Sequence, residues 1–111
     1  MLMLPQSVKV YISTTPLDMR KSFDGMSALV ESDLKADVFT GDLFVFLNKR
    51  GDRVKILYWD RNGYCLWQKR LERGIFRLPL VKSKVYKISV SELTLLLEGI
   101  DLTQRYRHRA C

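Results

Sequence analysis

The chain is poor in the residues that usually carry chemistry. It has one histidine, His108, and two cysteines, Cys65 and Cys111, in 111 residues. Two widely separated thiols give neither a disulfide framework nor a zinc spacing. Reduced thiols in a cytoplasmic protein are therefore expected. His108 stands in a basic tail, and no serine or cysteine has a base near it in sequence, which removes the usual nucleophile arrangements. No glycine-rich phosphate loop of the P-loop type occurs. Asp18, Asp24, Asp42, Asp52 and Asp60 are available for metal-dependent phosphoryl chemistry, which needs two or three converging carboxylates. Each has a simpler role at a helix start or beside a turn, so no catalytic residue, no metal and no cofactor are expected.

Long apolar runs are also missing. None approaches the about 20 residues of a membrane span, and the opening "MLMLP" lacks the basic start and cleavage site of a secretory leader. No membrane partner is expected. Only six glycines and three prolines interrupt a chain that is 47% hydrophobic, which indicates a globular rather than a disordered protein. This length suits one domain with a real core. We expect that domain to span residues 1–102, followed by a basic tail, 103–111.

What the middle of the chain lacks is acid. Residues 1–48 hold four Lys/Arg against six Asp/Glu, whereas residues 49–87 hold twelve against three. Residues 88–111 balance at three each, with Arg105, Arg107 and Arg109 crowded near the end. Such asymmetry points to an acidic partner: nucleic acid, an anionic membrane or an acidic protein.

The patterning predicts an α+β fold with a mostly antiparallel sheet and two or three short helices. Val8 to Ile12 is rich in β-branched and aromatic residues and reads as a strand. Thr15 before Pro16, with Asp18 following, is a helix-start signal, and Ser22 offers a second one. Phe23, Met26, Val30 and Leu34 recur at helical steps, with Gly25 marking close packing or a break. Leu43 to Leu47 is apolar throughout, as in a strand buried on both faces. Arg53 to Trp59 reads as the next strand. Asn62-Gly63 is a two-residue hairpin signal, which would set Arg61 opposite Tyr64 and Trp59 opposite Leu66. Residues 85–89 form a further strand, and Ser91 caps a last helix that Gly99 ends.

That register places Lys55, Leu57, Trp59, Arg61, Tyr64, Leu66, Gln68 and Arg70 on one face of the hairpin. Val54, Ile56, Tyr58, Asp60, Cys65, Trp67, Lys69 and Leu71 lie on the other, which has the aliphatics of a core face. The first mixes cations with Trp59 and Tyr64, as a surface for phosphates and stacked bases would. It also suits a solvated face whose basic stems cover the aromatics. The candidate DNA contacts are Arg20, Lys21, Lys49, Arg50, Arg53, Lys55, Trp59, Arg61, Arg70, Arg73 and Arg77.

The stretches "PLDMRKSFDGMSALV", "GDLFVFLNKRGDRVKILYWDRNGYCLWQKRLERGIFRLP" and "ISVSELTLLLEGID" together resemble the TnpB accessory proteins of insertion-sequence-66 transposons, from about Val10 to Asp101. These are second-reading-frame proteins, not the RNA-guided nucleases that share the name. The most specific segments are Asp18 to Lys21, Lys55 to Arg61, and Leu66-Trp67 through Lys69 to Glu72, while the tail after Asp101 falls outside the pattern. The resemblance implies a mobile-element protein needed for efficient transposition beside a separate, larger transposase, without chemistry of its own. An accessory DNA-binding component is the leading expectation. A module that assembles or activates the transposase, through Asp18 to Lys21 and the helix after it, is the alternative, and RNA-level control uses the same basic surface. DNA and a transposase subunit are the expected partners, with a homo-oligomer left open.

Overall fold

A computed structural model describes residues 7–79 and 81–99. Five strands form one sheet in the order β4-β3-β2-β1-β5. They are β1 (Val10–Ser13), β2 (Leu43–Leu47), β3 (Arg53–Asp60), β4 (Gly63–Arg70) and β5 (Val85–Ile88). The helices are α1 (Phe23–Ser32) and α2 (Val90–Leu97), with a 3-10 turn at Val38–Thr40. The fold is α+β, and the sheet is antiparallel except for the β1–β2 pair. That pair is parallel because α1 carries the chain across the sheet between them, the connection a parallel pair requires.

The central strand explains itself. Val45 joins the apolar cluster under α2, while Phe44 and Phe46 join the one under α1. β2 is therefore sandwiched, as its unbroken apolar run predicts. Met26 and Val30 of α1 and Leu34 beyond it cover Phe44, Phe46 and Leu57. Leu93, Leu96 and Leu97 of α2 cover Val54 and Ile56 on the other side.

Several expectations are corrected. The helix after β1 starts at Phe23 with Ser22 in the N-cap position, not at Thr15. Asp18 instead closes a local turn, its Oδ1 accepting the Arg20 N–H at 3.0 Å. α2 is capped by Ser89 rather than Ser91. Ser89 Oγ accepts the Glu92 N–H at 3.0 Å and Glu92 Oε1 accepts the Ser89 N–H at 3.2 Å, a reciprocal box that satisfies two donors at the helix start.

The hairpin turns one residue earlier than expected. Asp60 pairs with Gly63, Trp59 with Tyr64 and Ile56 with Trp67, leaving Arg61 and Asn62 in the loop with Arg61 at φ 53°. Gly63 does not use its tolerance of positive φ. In exchange, Trp59 and Tyr64 become a directly opposed aromatic pair, a favourable cross-strand contact. The pairing moves by an even step, so the residues grouped on each face are the ones expected.

The larger correction concerns the face expected to be open. α1 roofs it, and Leu57 is 0% exposed. Lys55 is buried at 8% exposure, and Trp59 is half-buried against Phe39. Neither forms the open, solvated surface the sequence suggests, because the amphipathic helix must bury its own apolar stripe on that face. Tyr58 and Trp67 lie on the expected core face, packed against the cluster under α2, but are only partly buried rather than enclosed.

Candidate nucleic-acid interface

The topology collects basic residues at one end of the sheet. β1 and β2 run parallel, so Ser13 and Leu47 finish at the same end, where Leu17 N–H donates to Leu47 C=O at 2.8 Å. β3 begins there, β4 returns there, and Val85 of β5 pairs with Ser13. The connections at this end contribute Lys49 and Arg50, then Arg53 and Arg70, then Arg73 and Arg77, then Lys82 and Lys84, all exposed. Asp52 and Glu72 are the acids among them.

Asn48 builds the β2–β3 turn at the centre of this end. Its Oδ1 accepts the N–H groups of Gly51 and Arg53 at 2.9 and 3.0 Å, and its Nδ2 donates to Asp52 Oδ1 at 2.7 Å. Gly51 sits at φ 83°, a left-handed conformation glycine adopts without steric cost. The Asn48 hydrogen bond, with Arg50 adding a smaller effect, holds the Asp52 carboxyl below its ordinary range. Residues 71–76 then fold back along the turn through Leu71 N–H to Asp52 C=O and Phe76 N–H to Gly51 C=O, both 2.8 Å. This backtrack brings Arg73 and Arg77 to the same end. A hollow of about 410 Å³ opens beside the turn, lined by Thr14, Asn48, Lys49 and Arg50 over Ile75 and Val81.

Lys55 has a different task from the one expected. Its Nζ donates to the carbonyl oxygens of Met19 and Lys21, both at 2.8 Å. One buried lysine thus ties the Asp18–Lys21 turn onto the hairpin. Arg20 projects from that turn with its side chain 91% exposed, paired with Asp18 at 2.6 Å. Lys21 is exposed beside it.

Arg61 is separated from this group. It lies at the hairpin tip, the length of an eight-residue strand from Arg53, or about 25 Å at the usual rise per residue. Trp59 lies toward that tip in a cluster of rings. Phe39 meets Trp59 edge-on at 5.0 Å and Tyr64 at 6.1 Å, and Phe23 stacks on Tyr64 at 6.5 Å. Phe39 is 55% exposed and Phe23 42%. Of the expected contacts, the structure therefore groups Arg20, Lys21, Lys49, Arg50, Arg53, Arg70, Arg73 and Arg77. It buries Lys55, half-buries Trp59 and sets Arg61 apart. Lys82 and Lys84 join the group without any local sequence signal, because the pairing of β5 with β1 brings them to this end.

Among the described residues, no three His, Cys, Asp or Glu side chains are placed to hold a metal ion, and no helix is long and apolar enough to cross a membrane. The basic tail lies outside the described residues.

Comparison with known proteins gives a consistent relationship. The family described as IS66 Orf2 like protein matches residues 8–107, running past Asp101 into the segment set aside as a tail. Two uncharacterized proteins of Sinorhizobium fredii are similar. One, y4jC, is 41% identical over 99 residues, covering 89% of this chain and 85% of its own. The other, y4hO, is 41% identical over 101 residues, covering 89% and 88%. No solved structure matches the chain significantly.

Proposed function

The chain belongs to the IS66 Orf2-like family, whose membership supports a transposition-associated accessory role, and from that premise we propose that it grips duplex DNA electrostatically through the basic end of its sheet. Family membership also suggests a role without catalysis. The observation that carries the DNA reading is the convergence of exposed cations from separate connections onto one end of the sheet, with few acids among them. Cations so placed release counterions from a duplex and need no recognition element. Among the described residues both α-helices pack on the sheet rather than presenting base-reading side chains in the manner of a helix-turn-helix protein, so discrimination between sequences is weak.

Fluorescence anisotropy with transposon-end and random duplexes tests this. If about four to six phosphates are neutralised, log K falls against log salt with a slope of roughly −4 to −5. Arg61→Gln, at the far end of the hairpin, leaves that slope unchanged. Absence of binding near 50 mM salt, a concentration at which contacts of this number hold roughly 250- to 1,000-fold tighter than at 200 mM, sinks the reading.

A second reading rests on the exposed rings of Phe39 and Phe23. They suit contact with a protein, the transposase subunit of the same element, better than contact with DNA. A pull-down on that transposase, with and without nuclease, separates the readings. Association that survives nuclease supports protein contact, and association that vanishes supports bridging by DNA.

A further inference from the structure

Arg53 and Arg70 are directly opposed across β3 and β4. Arg53 directs both backbone groups toward β2, its N–H to Asn48 Oδ1 at 3.0 Å and its C=O to the Asn48 N–H at 3.2 Å. The pair with Arg70 is therefore a non-hydrogen-bonded one, in which opposed side chains stand closest on one face. Like charges in that position are destabilising. Glu72 partly offsets Arg70 at 3.0 Å. Among the described residues, the Arg53 guanidinium has no hydrogen bond or ion pair.

Next along the same face is Lys55, paired across the strands with exposed Gln68. Its ammonium is satisfied by two carbonyl oxygens and has no carboxylate partner among the described residues. A charge buried without a counterion is costly, and a third ammonium proton remains beyond the two bonds. Two opposed arginines and a buried lysine thus line one face, with Glu72 on Arg70 the one acid paired with any of the three among the described residues. A hollow of about 310 Å³ lies at this place, lined by Arg53, Val54, Gln68, Lys69, Arg70 and the acid Glu72.

We infer that Arg53 and Arg70 form a clamp for a single phosphate group of the DNA backbone, with Lys55 supplying charge beneath it and holding the Asp18–Lys21 turn alongside. The inference rests on the DNA-binding reading. Two guanidinium forks converging on one phosphate give the charge-assisted geometry that arginine favours. The repulsion between the arginines in the free protein is relieved when the anion arrives.

The test compares Arg53→Gln, Arg70→Gln and the double variant with the parent protein. Each single variant melts at a temperature equal to or above the parent's in low salt, because the opposed charges are gone. The double variant loses about one unit of salt slope, the signature of one shared phosphate. Inorganic phosphate raises the parent's melting temperature more than chloride at matched ionic strength, and this difference disappears in the double variant. A loss of about two units means separate phosphate contacts, which overturns the clamp and leaves the DNA reading standing. An unchanged slope, or a phosphate effect that persists in the double variant, also overturns the clamp. If the parent protein binds no duplex, the DNA reading falls, and the phosphate-specific melting shift alone decides whether the two arginines hold an anion.

Discussion

Asp18 couples local backbone geometry to the charge that the Asp18–Lys21 turn presents. Its carboxylate accepts the Arg20 N–H and also holds the Arg20 guanidinium, through Nε at 3.1 Å and a terminal nitrogen at 2.6 Å. The side-chain bond from Arg20 is the larger cause, and the backbone bond the next, of a carboxyl held well below its ordinary value. The same pairing raises the Arg20 guanidinium. Because the folded carboxyl titrates below the ordinary 3.8, its contribution to stability is present above that pH and fades as pH falls toward the folded value. Asp18→Asn removes this acid dependence and leaves Arg20 without its counter-charge. We expect duplex binding at low salt to tighten, with a slope steeper by up to about one unit. Arg20→Ala should lower the melting temperature only slightly, since its pairing with Asp18 is solvent-exposed, and Lys21→Ala less still, yet both should reduce transposition. A melting shift large enough to account for the loss of transposition would reverse that assignment.

Among the elements, the β3–β4 hairpin separates what packing requires from what the surface can spare. Leu57 is fully enclosed beneath α1, so Leu57→Ala should cost about 2–5 kcal/mol. Trp67 lies against the α2 cluster but keeps part of its ring in solvent, so Trp67→Ala should fall below the about 3–5 kcal/mol of a fully buried aromatic. Denaturant melts of the two variants give the order, and a larger loss at Trp67 would show that α2, not α1, dominates the core. The same hairpin marks what the sequence could reveal. Leu43 to Leu47 is legible as a buried strand because five apolar residues in a row leave no polar face. The grouping of residues on the two hairpin faces is legible because alternation survives an even change of register. The turn itself is not, since Asn62-Gly63 satisfies the local signal while the Trp59–Tyr64 pair, ringed by Phe39, favours turning one residue earlier. Ser89 was within reach, as Ser-x-x-Glu from Ser89 to Glu92 is a stronger helix-start signal than Ser91 alone. The burial of Lys55 was not legible, because no pattern local to the hairpin announces that carbonyl groups of Met19 and Lys21 will receive its ammonium.

On the scale of the molecule, the two ends of the sheet differ in kind. The chain from Ser22 to Asp42, which crosses from the basic end by way of α1 to the 3-10 turn, carries Asp24, Glu31, Asp33, Asp37 and Asp42 against Lys35. Its far end presents Phe39, whose N–H is received by Asp37 Oδ1 at 2.9 Å, so the exposed ring is held on a defined turn. Tyr64 beneath it is fixed by a 2.9 Å hydrogen bond to Ser27. Acids disfavour a nucleic acid here, whereas ordered aromatic rings are common anchors of protein interfaces. The two proposed readings then divide between the ends, and we propose that the basic end holds DNA while the aromatic end meets the transposase. Phe23→Ser combined with Phe39→Ser tests it, since both rings lie outside the enclosed core, half exposed. The double variant should keep the parent's salt slope on duplex DNA and lose nuclease-resistant association with the transposase, by about tenfold or more if either ring is a hot spot worth at least 1.4 kcal/mol. Retained association would remove the aromatic end from the interface. A matching fall in duplex binding would show instead that the rings also serve the basic surface, Phe23 through Lys21 two residues before it and Phe39 through the fold of the sheet, because the β2–β3 turn stands about 25 Å from the hairpin tip along the strands.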